Sequence, residues 1–129
     1  MNLIKNVSLK HISIHKNNLK TFLFNNTQLI GYSSVYVHKN VPIMNDIRIK
    51  KPYRQIGYGT FLLNSVENII KCNQYDRLYI NTWYLDRCYL NYLSFYKKRG
   101  YNVCVYDNDT HIDDGENIYY NLYINKKLG

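Results

Sequence analysis

Gly57 and Gly59, in the run Arg54-Gln55-Ile56-Gly57-Tyr58-Gly59-Thr60, are the residues of this 129-residue chain whose type and spacing first suggest chemistry. Ahead of them Ile47 and Ile49 alternate with Arg48 and Lys50, the period of a strand. Behind them Leu62, Leu63, Val66, Ile69 and Ile70 recur at helical spacing. A strand, a glycine turn and a helix start in succession bring main-chain amides to the positive end of a helix, where an anion such as phosphate is stabilised. Arg48, Lys50, Lys51 and Arg54 crowd the same turn. A P-loop would need Lys directly after its last glycine, where Thr60 stands; a dinucleotide-binding turn would need a small residue where Leu62 stands. Other reactive residues form no pattern. His11, His15, His38 and His111 are scattered without ligand spacing and read as surface residues. Cys72, Cys88 and Cys104 are odd in number, lack a C-x-x-C pair and read as core thiols, so neither a disulfide framework nor a metal site is expected.

The run Arg54 to Gly59 resembles the Arg/Gln-x-x-Gly-x-Gly/Ala signature of the GNAT superfamily of N-acetyltransferases. Further on, Leu93-Ser94-Phe95-Tyr96-Lys97-Lys98-Arg99-Gly100-Tyr101 resembles that family's later Phe-Tyr-x-Lys-x-Gly-Phe/Tyr helix. The resemblance covers residues 22–129. It implies that acetyl-CoA is the cosubstrate, with no metal, and that an acceptor amine attacks its thioester directly, without a covalent enzyme intermediate. Arg54, Gln55, Ile56, Gly57, Tyr58, Gly59 and Thr60 would then hold the pyrophosphate. The main chain of Ile47, Arg48 and Ile49 would hold the pantetheine arm. Tyr96 would be the general acid, since a phenol of pKa ~10 is a protonated donor at neutral pH. Tyr89 stands where the family often has Asn, and Tyr92 where a small residue is common. No general base is assigned: Asp46 and Asp86 lie only near the positions that relatives use, and Asp86 also reads as a helix cap.

Composition bounds the partners. The length suits one domain over residues 1–129, and no run approaches the ~20 apolar residues that span a membrane. The N-terminus lacks a signal peptide's apolar stretch, so a cytoplasmic protein is expected. The net charge of +8 invites a nucleic-acid reading, but CoA is also a polyanion and the cations crowd the cradle. Nucleic acid is therefore not the expected partner. Residues 107–116, DNDTHIDDGE, hold five of the nine acidic residues; they read as a hairpin loop whose charge would attract a cationic amine such as a lysine, a peptide N-terminus or a polyamine.

Residues 7–15, 19–24, 28–37, 43–50, 77–83, 101–106 and 117–124 read as strands, and a helix follows the cradle. A second helix spans 86–99, with Lys97, Lys98 and Arg99 in its last turn and Gly100 ending it. The fold class is α/β: a GNAT fold with a mixed, mostly antiparallel twisted sheet of about six to seven strands and two main helices. GNAT domains usually place two helices between their first and second strands, and here only residues 16–18 are available. That leaves aromatic surface uncovered and suggests a homodimer through the tyrosine-rich residues 117–124. Two other functions compete with acetyl transfer. One is a GNAT-fold module that binds CoA or a protein without turnover; the other, weaker, is a basic nucleic-acid binder.

Overall fold

The computed structural model describes residues 7–15, 18–54, 56–85, 89–113 and 117–129. They form one seven-stranded sheet with two α-helices. The first four strands, β1 (Val7–His15), β2 (Asn18–Asn25), β3 (Gln28–His38) and β4 (Val41–Ile49), form an antiparallel meander. Asn26 and the Lys39-Asn40 pair adopt positive φ at the β2–β3 and β3–β4 turns, a conformation Asn tolerates because its side chain bonds locally. After a short 3-10 turn at Lys51–Tyr53, α1 (Tyr58–Cys72) leads to β5 (Arg77–Leu85), then α2 (Tyr89–Lys98), β6 (Asn102–Asp113) and β7 (Asn117–Lys127). The sheet order is β1-β2-β3-β4-β5-β7-β6. Only residues 16 and 17 separate β1 from β2, so the helix pair expected of the family is absent there, as the sequence implied.

Alternation along the strands decides which face is covered. Val35, Met44, Leu78, Ile80 and Ile124 are buried with Leu63, Val66 and Ile70 of α1 and Tyr96 of α2, while Leu23 and Ile30 are buried with Tyr58 of α1. Both helices therefore sit on one face of the sheet. α2 ends as its Gly100 predicts: that residue is left-handed at φ 88°, and the Tyr101 amide reaches back to the Tyr96 carbonyl at 3.1 Å. Below this turn the Tyr101 hydroxyl donates to Glu67 of α1 at 2.7 Å, and Lys126 of β7 pairs with the same carboxylate at 3.1 Å.

Two expectations are corrected. Residues 107–113 belong to β6 rather than to a loop. Pairing slips between Val105 and Thr110 but resumes at Thr110↔Tyr120, because β7 is long enough to keep offering partners. Strand β7 lies between β5 and β6 and is paired on both edges. Cys72 is exposed at the end of α1 rather than a core thiol, since the apolar stripe of that helix ends at Ile70. Cys88 and Asp86 lie outside the described residues, as does the Cys104 side chain.

Candidate active site

The site is built on a defect in β4. Ser33 pairs with Ile47 and Val35 with Met44, so β4 spends one more residue than β3 around Asn45 and Asp46. A bulge of this kind bends its strand and increases the local twist. The effect shows on the other edge, where β4 pairs in parallel with β5 only at Ile43↔Tyr79 and Met44↔Ile80. Both strands run five residues further, to Ile49 and Leu85, without pairing again. The sheet thus opens into a wedge between Ile47–Ile49 and the end of β5. On its closed side the same stretch of β4 stays bonded to β3, through Ser33↔Ile47, Tyr32↔Arg48 and Gly31↔Ile49.

The glycine turn lies at the mouth of this wedge. Gly57 is left-handed at φ 96° and stands just before α1, whose first intrahelical bond runs from the Phe61 amide to the Gly57 carbonyl at 3.0 Å. No side chain caps the helix, so the preceding amides have no acceptor from their own helix, which is the arrangement an anion completes. A Cβ added at Gly57 would meet nothing within 4 Å. Gly59 has a different task. An added Cβ there would lie 3.4 Å from Phe95 and 4.0 Å from Ile49, so this glycine lets α1 pack closely against α2 and β4. Arg54 is exposed but anchored, its Nε donating to the Ile49 carbonyl at 2.8 Å, which ties the cradle to the end of β4. Ile56 is also exposed, at 37%. Gln55 lies outside the described residues.

Tyr96 meets the same region from α2. It is 1% exposed, with its ring edge-on to Tyr101 at 5.5 Å, in the cluster containing Met44 and Ile80, the last parallel pair before the strands part. The two sequence motifs are therefore brought together, Phe95 against Gly59 and Tyr96 in the core cluster that also holds Met44 and Ile80. Burial pushes the neighbouring Tyr101 hydroxyl far above the usual phenol range, and its hydrogen bond to Glu67 pushes the same way. The side chains of Asp46, Tyr89 and Tyr92 lie outside the described residues.

Two residues to which the sequence assigned no role in the site stand beside it. Arg99 stacks 3.9 Å over the Phe95 ring, donates from Nε to Thr60 Oγ1 at 2.8 Å, and donates from Nη1 to the Phe95 carbonyl. It couples the end of α2 to the first turn of α1, a role that its charge at a helix C-terminus did not distinguish from ordinary dipole pairing. Gly31 is the other. A Cβ there would lie 2.6 Å from Ile49 Cδ1 and 2.8 Å from the Arg48 carbonyl, so only glycine lets β3 approach β4 beside the wedge. Its signal was a lone glycine inside a strand pattern.

With this geometry in place, comparison with known proteins is direct. A profile of the Acetyltransferase (GNAT) family matches residues 6–101, and the chain belongs to that family. No curated protein matches the sequence. Among solved structures, the chain is similar to a GNAT family acetyltransferase from Elizabethkingia anophelis with acetyl-CoA bound, at 14% identity over 95% of this chain and 99% of that one, with a TM-score of 0.75. It is similar also to the ribosomal-protein-S18-alanine N-acetyltransferase from Escherichia coli, at 11% identity over 95% and 94% of the two chains, with a TM-score of 0.76. A third is the PaiA N-acetyltransferase from Thermoplasma acidophilum in complex with coenzyme A, at 21% identity and a TM-score of 0.67; 86% of this chain spans 61% of that one.

Proposed function

We propose that the protein transfers the acetyl group of acetyl-CoA to a primary amine within a ternary complex. The observation that carries this reading is an uncapped helix start beside an opened β4–β5 wedge, with the motif tyrosine buried in the core cluster that also holds Met44 and Ile80. When bound, acetyl-CoA supplies an acetyl group activated as a thioester. The residues from Gln55 to Thr60 would hold its diphosphate through main-chain amides, with Arg54 adding charge. The main chain of Ile47, Arg48 and Ile49 would align the pantetheine arm along the edge that β5 has left. Holding both reactants in register lowers the barrier by removing the entropy of encounter. Tyr96 holds the proton that the departing thiolate needs, and its burial keeps water from competing for that proton.

The reading carries a cytoplasmic site of action, and no described helix is long and apolar enough to cross a membrane. The acceptor is a cationic amine: a lysine, a peptide N-terminus or a polyamine. The acidic residues of 107–116 supply the attraction. The two-residue β1–β2 connection leaves the acceptor side without the usual helical wall, which suits an amine presented on a larger molecule. The burial of Tyr96 is also what a core tyrosine would show, and it favours the second reading, a CoA-binding module without turnover. One experiment separates them. Turnover is measured against a panel of amines for wild type and Tyr96→Phe, together with CoA affinity. Acetyl transfer through Tyr96 requires turnover with at least one amine and a drop of at least about tenfold in the variant, with affinity nearly unchanged. CoA binding with no turnover on any amine would leave the binding module.

A further inference from the structure

The charge of this protein is not spread along the chain. Residues 1–54 hold nine Lys and Arg against a single Asp, whereas residues 55–129 hold eight of each sign, so the whole excess of +8 lies in the first 54 residues, where β1–β4 carry Lys10, Lys20 and Arg48 against Asp46. Strands β1, β2 and β3 contain no Asp or Glu at all. Alternation then sorts these strands into two faces. Leu23, Val35 and Met44 are buried toward the helices, and the residues between them point the other way. The register lines up Lys10, Phe22, Tyr32 and Arg48 as one row across all four strands: Lys10↔Phe22, Phe22↔Tyr32 and Tyr32↔Arg48. Lys10 and Arg48 are exposed at the two ends of this row. Between them the Phe22 and Tyr32 rings lie 6.5 Å apart at 36°, and Tyr32 is 45% exposed. Two residues along, exposed Lys20 pairs with Ser34, and half-buried Tyr36 follows. Among the described residues no helix covers this face, since α1 and α2 both pack on the other.

We infer that the helix-free face of β1–β4 binds single-stranded nucleic acid. Bases stack on Tyr32 and Phe22, and phosphates pair with Lys10, Lys20 and Arg48. A sheet that displays aromatic rings between cations is a stacking platform with an electrostatic track, and such sheets hold two or three bases of a single strand. The row spans about 14 Å at the usual strand spacing of ~4.8 Å. A second copy of the chain fits less well, because it would set Lys10, Lys20 and Arg48 of one copy against the same cations of the other. The face adjoins the β4–β5 wedge at Arg48, whereas Lys20 and Tyr32 stand on β2 and β3, outside the wedge.

The test uses the full chain and a fluorescently labelled 15-nucleotide oligothymidylate, followed by anisotropy at 50 and 200 mM salt. Binding at micromolar concentration is expected, with log affinity falling against log salt at a slope of about −2 for three phosphate contacts. Tyr32→Ala, at a half-exposed position, is expected to weaken binding about fivefold or more without changing that slope. Lys20→Glu is expected to weaken binding and flatten the slope. Circular dichroism checks that both variants are folded. Absence of oligonucleotide binding overturns the inference. So does binding that Tyr32→Ala leaves unchanged and heparin displaces, which is attraction to any polyanion. A dimer in light scattering that Tyr32→Ala dissociates would give the face to a second copy, and Tyr32-dependent binding of polyglutamate in place of the oligonucleotide would give it to an acidic protein.

Discussion

At the scale of the residue, the three glycines around the wedge stand in three different environments, and substitution should separate them. Gly57 occupies a left-handed conformation with open space beyond it, the property of a turn that faces a ligand. Gly31 is held by contact with the Arg48 carbonyl. Gly59 has helical geometry and a neighbour at ordinary van der Waals distance, Phe95 at 3.4 Å. Gly59→Ala should therefore fold normally, with the gain in helix propensity, up to ~1 kcal/mol, offsetting any tightness. Gly59→Val adds branched volume against Phe95 and Ile49 and should cost about 1–3 kcal/mol by prying α1 from α2. Urea unfolding of the two variants checks this; equal losses for Ala and Val would mean that the space beside Phe95 is not what selects glycine.

At the scale of the element, the bond network of Glu67, Tyr101 and Lys126 joins α1, the α2–β6 turn and β7. Because Tyr101 is 4% exposed and donates to a carboxylate, its phenol keeps its proton in the folded protein beyond the pH at which an unfolded tyrosine loses it. The folded state then binds more protons than the unfolded state above pH ~10, so this contribution to stability is complete below that pH and falls as pH rises. Wild type should lose stability faster than Tyr101→Phe above pH ~10, by up to about 1.4 kcal/mol per pH unit. Denaturant titrations of both proteins at pH 9 and pH 11 measure the difference. Parallel losses would mean that Tyr101 ionises without unfolding the turn.

At the scale of the molecule, the sheet has a weak seam, because β4 and β5 share only two residue pairs. What unites its halves is the core cluster, in which Val35 and Met44 from one side pack with Leu78, Ile80 and Ile124 from the other, under Leu63 and Val66 of α1. The halves should therefore unfold together. The sole tryptophan, Trp83, lies in β5 and so reports on the C-terminal half, while far-ultraviolet circular dichroism reports on the whole. Their urea transitions should coincide, and Leu63→Ala should shift both by the same ~2–5 kcal/mol. Two separated transitions would mean that the wedge divides the molecule into independent units.

The sequence by itself determined the elements and the two motifs. Alternation marked the strands, the stripe from Leu62 to Ile70 marked α1, and the Gly-x-Gly turn and the Phe-Tyr-x-Lys-x-Gly helix marked the family, because each is a local pattern of side-chain period and backbone freedom. The sequence also showed that no helix pair could fit between β1 and β2. What it could not show depends on pairing between distant residues. The extra residue in β4 opens the wedge only because β3 fixes the register on one side. The strand character of residues 107–113 comes from a partner strand, against their own turn-forming composition. The role of Arg99 exists only where α2 meets Thr60, and the row from Lys10 to Arg48 exists only when four strands lie in register. Side-chain period is a property of neighbours in the chain; register, bulges and shared faces are decided by neighbours in space.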